Sequence, residues 1–384
     1  MRRKEIDLFV DLFEKENGIP EIYAGVEFVQ KNKMAESQIT SKSFFSFYSI
    51  KFVPDYLLFP LAVESLFYSK KLYQVKGYSA RLDDVSDIAS YVKSQFRSNA
   101  KTINRYVNRL ESCFDIDYKM YYGQINKDTY NFLMDSLYDM MLKRFNQLQI
   151  PNESEAKWEH TRKTIDALIH KKRASLFVIY DGLKPIEISI NYHFRSILFS
   201  SISSYDIDYS KFGLGHVEIY KQIEWCLAND YKVFEMGRGD LDYKRRWSNQ
   251  IYNFEHHIIY KKDSVYGRLW SLKEEYINQL KLYLKSKNID LIYKNLKGKL
   301  TTESGLTTKA LEYNVETLNT EPSIDNLPII DIHLEANAFL KKYVYDFLYT
   351  NTEHLSQVNV FNLEREQAYI IKGNKTSVKI SEQN

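Results

Sequence analysis

Cysteine, proline and glycine are scarce in this 384-residue sequence, with two, seven and thirteen residues respectively. Cys113 and Cys226 are too few for a disulfide framework and lack the paired spacing of a zinc site, so a reducing, cytoplasmic setting is expected. Low glycine and proline beside 44% apolar residues exclude collagenous, low-complexity and wholly disordered chains. No run reaches the roughly 18 consecutive apolar residues of a bilayer-spanning helix. The richest, Tyr56 to Phe67, is broken by Pro60 and Glu64. The N-terminus meets Glu5, Asp7 and Asp11 before any apolar run long enough for a signal peptide, and no stable membrane insertion is expected. A surplus of charge is also missing. The net charge of +3 excludes a dedicated nucleic-acid coat or a polybasic membrane binder at the level of composition, so any basic site must be local. No internal repeat is visible.

Aromatic residues are plentiful, at 15% of the chain, and supply both core and groove linings. The length predicts two to three structural units of about 150 residues each. Ile6, Leu8, Phe9, Val10, Leu12 and Phe13 predict an opening helix that stops at Asn17-Gly18-Ile19-Pro20. Short strands and turns follow from Ile22 to Val75. From Tyr91 to Leu110 the sequence carries Lys93, Arg97, Lys101, Arg105 and Arg109 with no acid; steps of four put the five cations on one helical stripe, either a solvated face or an anion-facing surface. Asn126–Gln147 and Ser154–Lys172 read as helices, the first with a core stripe through Leu133, Leu137 and Met141. The period then changes to that of strands over Ser175–Gly182 and Lys184–Phe194, joined by an Asp-Gly turn. Another strand, Ile197–Asp206, precedes Lys-Phe-Gly-Leu-Gly-His, a helix, the strand Lys232–Met236 and a basic loop. Ile251–Lys262 reads as a strand, and Gly267–Lys287 as a closing amphipathic helix through Leu269, Leu272, Tyr276, Leu280 and Leu284. Residues 301–384 carry a net charge of about −5 against about +8 for the rest. The expected division is therefore 1–90, 91–300 and an acidic, partly ordered segment 301–384.

Two segments could carry chemistry. Lys211-Phe212-Gly213-Leu214-Gly215-His216 stands directly before a helix. Glycines there let backbone N–H groups approach a ligand, and the helix start offers unpaired donors and the positive end of its dipole, which suits a diphosphate as well as it suits a tight turn. There is neither a GxGxxG nor a Walker sequence, so dinucleotide oxidoreductases and P-loop NTPases lose support. The second segment, Gly237-Arg238-Gly239-Asp240-Leu241-Asp242-Tyr243-Lys244-Arg245-Arg246-Trp247, leaves the carboxyl end of a strand, where ligands of open α/β sheets sit. His256-His257 is not expected to hold a metal, because neighbouring strand residues point to opposite faces.

The run from Ser210 to Trp247 resembles the acyl-CoA-binding half of the GNAT acyltransferase superfamily. It is most similar to the branch that groups CelD-like and FemAB-like proteins. The signature residues are Glu235, Gly237, Arg238, Gly239, Asp240, Tyr243, Lys244, Arg245 and Arg246, and a weaker resemblance reaches back through the basic stretch to Tyr91 and on to Lys262. It implies an α+β fold, a mixed, mostly antiparallel twisted sheet flanked by helices, with residues 1–90 as a degenerate unit of a double-GNAT arrangement. It implies acetyl-CoA or another acyl-CoA as co-substrate, no metal, and a donor diphosphate on Lys211, Phe212, Gly213, Leu214, Gly215 and His216. Lys211 with one residue before Gly213 is shorter than the usual loop. The pantetheine would pair between Leu198–Tyr205 and Val233–Met236. Asp240 is the expected base or ammonium anchor, with Arg238 beside it; Tyr243 or Lys244 would protonate the leaving thiolate or hold a substrate phosphate or carboxylate, and Glu187 and His193 are alternative bases.

The function this implies is cytoplasmic N-acyl transfer, in its simplest form acetyl transfer, to a small-molecule amine such as an amino sugar or amino acid of a polysaccharide or peptidoglycan precursor. Two other readings stand beside it. One is FemAB-like transfer from aminoacyl-tRNA, in which the stripe from Lys93 to Arg109 would hold RNA phosphates. The other is a non-catalytic GNAT-fold assembly or regulatory module.

Overall fold

The computed structural model describes residues 3–13, 18–28, 33–36, 44–148, 155–287, 313–318, 320, 324 and 327–382. The chain forms two compact units that interleave in sequence. Unit 1 comprises Met1–Val85, Tyr192–Ser201 and Cys226–Leu306; unit 2 comprises Ser86–Asn191, Ile202–Trp225 and Thr307–Asn384.

In chain order the elements begin with β1 (Arg3–Asp7), α1 (Leu8–Phe13), β2 (Gly25–Phe28), β3 (Lys33–Glu36), β4 (Phe47–Pro54), β5 (Leu57–Leu58) and β6 (Phe67–Arg81). There follow α2 (Ile88–Phe96), α3 (Ala100–Cys113), β7 (Ile116–Tyr121), α4 (Lys127–Leu148), α5 (Glu155–His170), β8 (Ala174–Asp181), β9 (Lys184–Phe194), β10 (Ile197–Tyr205) and α6 (Leu214–Ala228). Then come β11 (Val233–Arg238), α7 (Asp242–Trp247), β12 (Gln250–Lys261), α8 (Val265–Ser286), β13 (Tyr313–Thr317), α9 (Lys341–Asn351), β14 (Asn359–Leu363), β15 (Ala368–Lys372) and β16 (Ser377–Glu382).

In unit 1 the strand order is β1-β4-β12-β6-β11-β10. β12 runs antiparallel to β4 and β6, and β6 antiparallel to β11. The two parallel pairs are β1 with β4 and β10 with β11. This is the mostly antiparallel mixed sheet that the resemblance implies. Its core includes Phe13, Phe47, Tyr48, Phe234, Trp247 and Phe254, all fully buried. The expected opening helix begins later than the apolar spacing suggests. Residues 3–7 instead pair with Phe47–Lys51 as β1, and the Asp7 carboxylate accepts the Val10 N–H at 3.1 Å, so the helix starts only after this cap. Its expected stop at residues 17–20 lies partly outside the described residues.

In unit 2 the strands follow the order β10-β9-β8-β7, and a separate sheet runs β13-β16-β15-β14. The cation stripe from Lys93 to Arg109 does not lie on one helix. Arg97 takes φ +50° and its N–H closes on the Lys93 carbonyl, ending α2. Ile88, Tyr91, Val92 and Phe96 on α2 and Ile103, Val107, Leu110 and Cys113 on α3 are buried; their spacing keeps helical phase across the interruption, which is why the sequence conceals it. Unit 2 closes around one cluster in which Cys113, Phe114, Tyr209 and Phe212 meet Leu340, Val344, Tyr345 and Leu348 of the C-terminal segment. The Phe114 ring lies 4.9 Å from Tyr209, 5.1 Å from Phe212 and 5.0 Å from Tyr345.

Candidate active site

β11 carries Glu235 into the interior of unit 1, where it is wholly buried. A buried carboxylate is tolerable only with donors, and this one has three. The Gly237 N–H donates to Oε1 at 2.6 Å, the Tyr252 hydroxyl to Oε1 at 2.8 Å, and the Tyr56 hydroxyl to Oε2 at 2.8 Å. Burial pushes its pKa up to about 7, although the three hydrogen bonds and the nearby Lys244 ammonium pull the other way. The carboxyl group therefore exchanges its proton near neutrality, as a general base should. Burial, and then Glu235 itself, holds both tyrosines far above their ordinary range, as neutral donors.

The local fold explains the convergence. Against β6 the register of β11 shifts, so that Glu235 faces Ser79 and Arg238 faces Gly77. This bulge turns the Gly237 N–H back on the Glu235 side chain; Gly237 has φ +70° and lies under the Phe199 ring. Bulges of this kind re-aim a strand end. At the end of the β4–β12 ladder the Asp55 N–H donates to the Asn253 carbonyl, and Asn253 donates twice to the Asp55 carboxylate, each at 3.0 Å. These bonds fix the neighbouring Tyr56 and Tyr252.

The loop beyond Glu235 gathers three of the four residues expected to act on substrate. The Lys244 ammonium donates to the carbonyls of Met236 at 2.6 Å and Arg238 at 2.8 Å, and burial lowers its pKa. Lys244 thus clamps the turn. The exposed Arg238 has its guanidinium 4.3 Å from the centre of the Phe52 ring. Asp240 accepts from the Tyr78 hydroxyl at 2.5 Å and from Arg245 at 2.8 Å; the Tyr78 bond first, and the Arg245 charge after it, hold its carboxyl below the usual range. A carboxylate kept charged in this way suits an ammonium anchor better than a base. Tyr243 is exposed on α7.

The glycine segment belongs to unit 2. Phe212 and Leu214 are fully buried there, while Lys211 is exposed with its ammonium 3.7 Å from the Asp346 carboxylate. The Tyr106 ring covers Gly213 and stacks on the His216 ring at 5.7 Å. The first-turn N–H groups of His216 and Val217 turn to the Gly213 carbonyl; among the described residues those of Leu214 and Gly215 have no acceptor. Gly215 has open space where a side chain would be. The segment can thus offer two amides and a helix start, with the Phe212 and Leu214 side chains serving as anchors to the core.

Glu187 is not at the turn. It is buried in unit 2, where the Ser189 hydroxyl lies 2.8 Å from Glu187 and 2.6 Å from Glu218; burial first, and then Glu218, pushes the Glu187 pKa well up. His193 is buried against the Tyr231 hydroxyl at 2.7 Å, and burial pushes its pKa down to about 3. His256 and His257 have separate partners, Ser49 for the first and Tyr23 with Glu255 for the second. Among the described residues no group of three or more His, Cys, Asp or Glu side chains could hold a metal ion.

Residues 97–245 match the family model of the acetyltransferase (GNAT) domain. The likeness to a GNAT domain is therefore shown for residues 97–245, less than half of the chain. The match contains Glu235, Asp240 and Lys244 and leaves out Tyr56, Tyr78 and Tyr252. No curated protein matches the sequence. Solved structures that match include a conserved protein of unknown function from Bacteroides thetaiotaomicron, 11% identical, covering 56% of this chain and 70% of that one at a TM-score of 0.38. L-PGS from Bacillus licheniformis is 10% identical, with 55% and 67% covered and a TM-score of 0.36. FemX is 9% identical, with 59% and 74% covered and a TM-score of 0.42.

Proposed function

We propose that the chain is an N-acyltransferase that moves an acyl group, in its simplest form acetyl, from acyl-CoA to an amine of an amino sugar or amino acid destined for a cell-surface polymer. The observation that carries this reading is Glu235, a buried carboxyl of pKa about 7 held by three donors at the bulged end of β11. The amide groups of Leu214 and Gly215 hold the donor's diphosphate at the start of α6, and Lys211 adds its charge. Asp240 anchors the incoming ammonium.

The ammonium must lose one proton before it can attack. That proton passes to the Tyr56 or Tyr252 hydroxyl as the same hydroxyl passes its own to Glu235, so the tyrosine ends neutral and Glu235 protonated. The amine nitrogen bonds to the thioester carbon and the C–S bond breaks. The thiolate takes a proton from the ammonium of Lys244 or the hydroxyl of Tyr243, and that group is restored by the second proton, which the nitrogen sheds as it becomes an amide. Positioning does most of the work, since aligned reactants can supply about 7–11 kcal/mol of the barrier. Cys113 and Cys226, both buried and unpaired, support a cytoplasmic setting.

Transfer from aminoacyl-tRNA is the second reading. It is favoured by the exposure of Lys93, Arg97, Lys101 and Arg105 and by the Tyr106 ring over Gly213. The test is release of free thiol from acetyl-CoA across a panel of amines, together with CoA-dependent thermal stabilisation. Turnover with stabilisation is expected. Stabilisation without turnover would make the protein a binding module, and neither effect would remove the acyl-CoA reading. A tRNA affinity that falls steeply with salt would favour the second reading.

A further inference from the structure

Helix α8 is built inside out. Its apolar stripe, Val265, Leu269, Leu272, Tyr276, Leu280 and Tyr283, recurs in steps of three and four residues, the spacing that ordinarily faces a core. Every one of these side chains is exposed, from 43% at Leu280 to 76% at Val265. The buried side of the helix is Gly267, Ser271 and Glu274. Polar contacts fix it that way round: Arg3 bonds Glu274 at 3.1 Å and stacks 4.1 Å from the Trp270 ring, Lys70 pairs with Glu275, and Asn278 donates to the Tyr73 carbonyl at 2.8 Å. The Ser264 hydroxyl caps the first turn through the Gly267 N–H.

The charge that shares this exposed surface has one sign. Arg268, Lys273 and Lys287 are exposed on or beside the stripe, Lys281 and Lys285 are exposed on the opposite side of the helix, and Glu274 and Glu275, the two acids of the helix, are turned in or paired. In sequence, the nearest exposed carboxylate among the described residues is Asp263, which precedes the cap. We propose that this face of α8 docks on an anionic phospholipid surface. An amphipathic helix with a leucine and tyrosine stripe flanked by lysine and arginine lies in the bilayer interface, its apolar side among the acyl chains and its cations on the lipid phosphates. A second copy of the chain would set the cations flanking this face, Arg268, Lys273 and Lys287, against the same three, which opposes self-pairing. Among the described residues no helix is long and apolar enough to cross a membrane, so the contact is peripheral.

The test is sedimentation of the full chain with vesicles of equal parts phosphatidylglycerol and phosphatidylcholine, and with phosphatidylcholine alone. Binding to the mixed vesicles is expected to be about tenfold or more stronger, and to weaken with salt. Replacing Leu269, Leu272 and Tyr276 together by Gln, or making Arg268→Glu with Lys273→Glu, is expected to reduce it about tenfold or more while thermal melting stays unchanged. Absence of binding to the mixed vesicles, or binding indifferent to both sets of changes, overturns the proposal. So does a solution dimer that the triple Gln variant dissociates, which would make the occupant a second copy. Protection of the Tyr276 and Tyr283 rings from labelling in the vesicle-free monomer would overturn it as well, the face then being covered from within the chain. Capture of an acidic protein without vesicle binding has the same force.

Discussion

The Tyr252 ring lies across Gly77, its direct partner on the neighbouring strand, so closely that a Cβ on Gly77 would fall 2.2 Å from the ring. The glycine is therefore the space in which the tyrosine reaches Glu235. Gly77→Ala is expected to displace the ring, destabilise the fold by about 1–3 kcal/mol and remove one of the hydrogen bonds that lower the Glu235 pKa. Tyr252→Phe separates the two effects by deleting the hydroxyl alone. Its expected signature is an alkaline shift of the pH–rate midpoint by about one unit; an unmoved midpoint would detach Tyr252 from Glu235.

Glu235→Gln removes the titrating group while keeping its shape. If the ionised carboxyl is the base, wild-type turnover rises as the pH passes upward through about 7, and the variant should lose that limb together with about 10²–10⁴-fold of its rate. A variant that keeps the limb assigns the titration to another group.

The turn from Gly237 to Trp247 was legible because its chemistry is contiguous: a strand end, two glycines and a run of charges lie within a dozen positions. Glu235 stood in the same signature, but its role did not, because its two hydroxyl partners come from 179 residues before and 17 residues after it. No local pattern joins Tyr56 to Tyr252. β9 was misleading in another way. Ile186, Ile188 and Ile190 alternate with Glu187, Ser189 and Asn191, a pattern that reads as half exposed, yet both faces are buried, and Ser189 reaches Glu218 of α6. The strands and most helices could be found from periodicity. Which side of α8 faces inward could not, because ion pairs rather than apolar contacts decide it.

In the proposed mechanism Asp240 anchors the ammonium and Glu235 takes its proton, and mutation should separate the two roles. Asp240→Asn is expected to raise the KM for the amine with a smaller change in kcat, because the anchoring charge is lost and the base remains. Tyr78→Phe should let the Asp240 pKa rise, since the Tyr78 hydroxyl is the main influence lowering it, and amine binding should then fade at a higher pH than in the wild type. Equal losses in kcat and acyl-CoA affinity for Asp240→Asn would move the residue to the donor site.

Two glycines of the segment before α6 should respond in opposite ways. Gly213 has φ +63° and a Cβ there would meet the Tyr106 ring at 2.9 Å, whereas Gly215 has no atom within 4 Å of that position. Gly213→Ala is expected to cost stability, by about 1–2 kcal/mol for the left-handed backbone alone. Gly215→Val should leave the melting temperature nearly unchanged and weaken CoA binding by about tenfold or more, by blocking approach to the amides. If Gly215→Val binds CoA normally, the segment is only a turn.

Acid stability tests the buried histidines. His193 and His256 are held neutral in the fold, their pKa values pushed down mainly by burial to about 3 and about 4 from 6.5. Unfolding frees each to take a proton below pH 6.5, so the unfolded state binds more protons there and stability falls as the pH drops from 6.5 toward 4, by about 2 kcal/mol per histidine at pH 5. Glu235 works in the opposite sense: its pKa is raised from 4.5 to about 7, so its unfavourable contribution grows as the pH rises from 4.5 to 7 and is complete above that. The two trends partly cancel in the wild type, which makes single variants the sharper measurement. His256→Gln can still bond the Ser49 hydroxyl, and its denaturation midpoints between pH 6.5 and 4 should fall less steeply, by close to one proton. An unchanged slope would mean that His256 is protonated inside the fold.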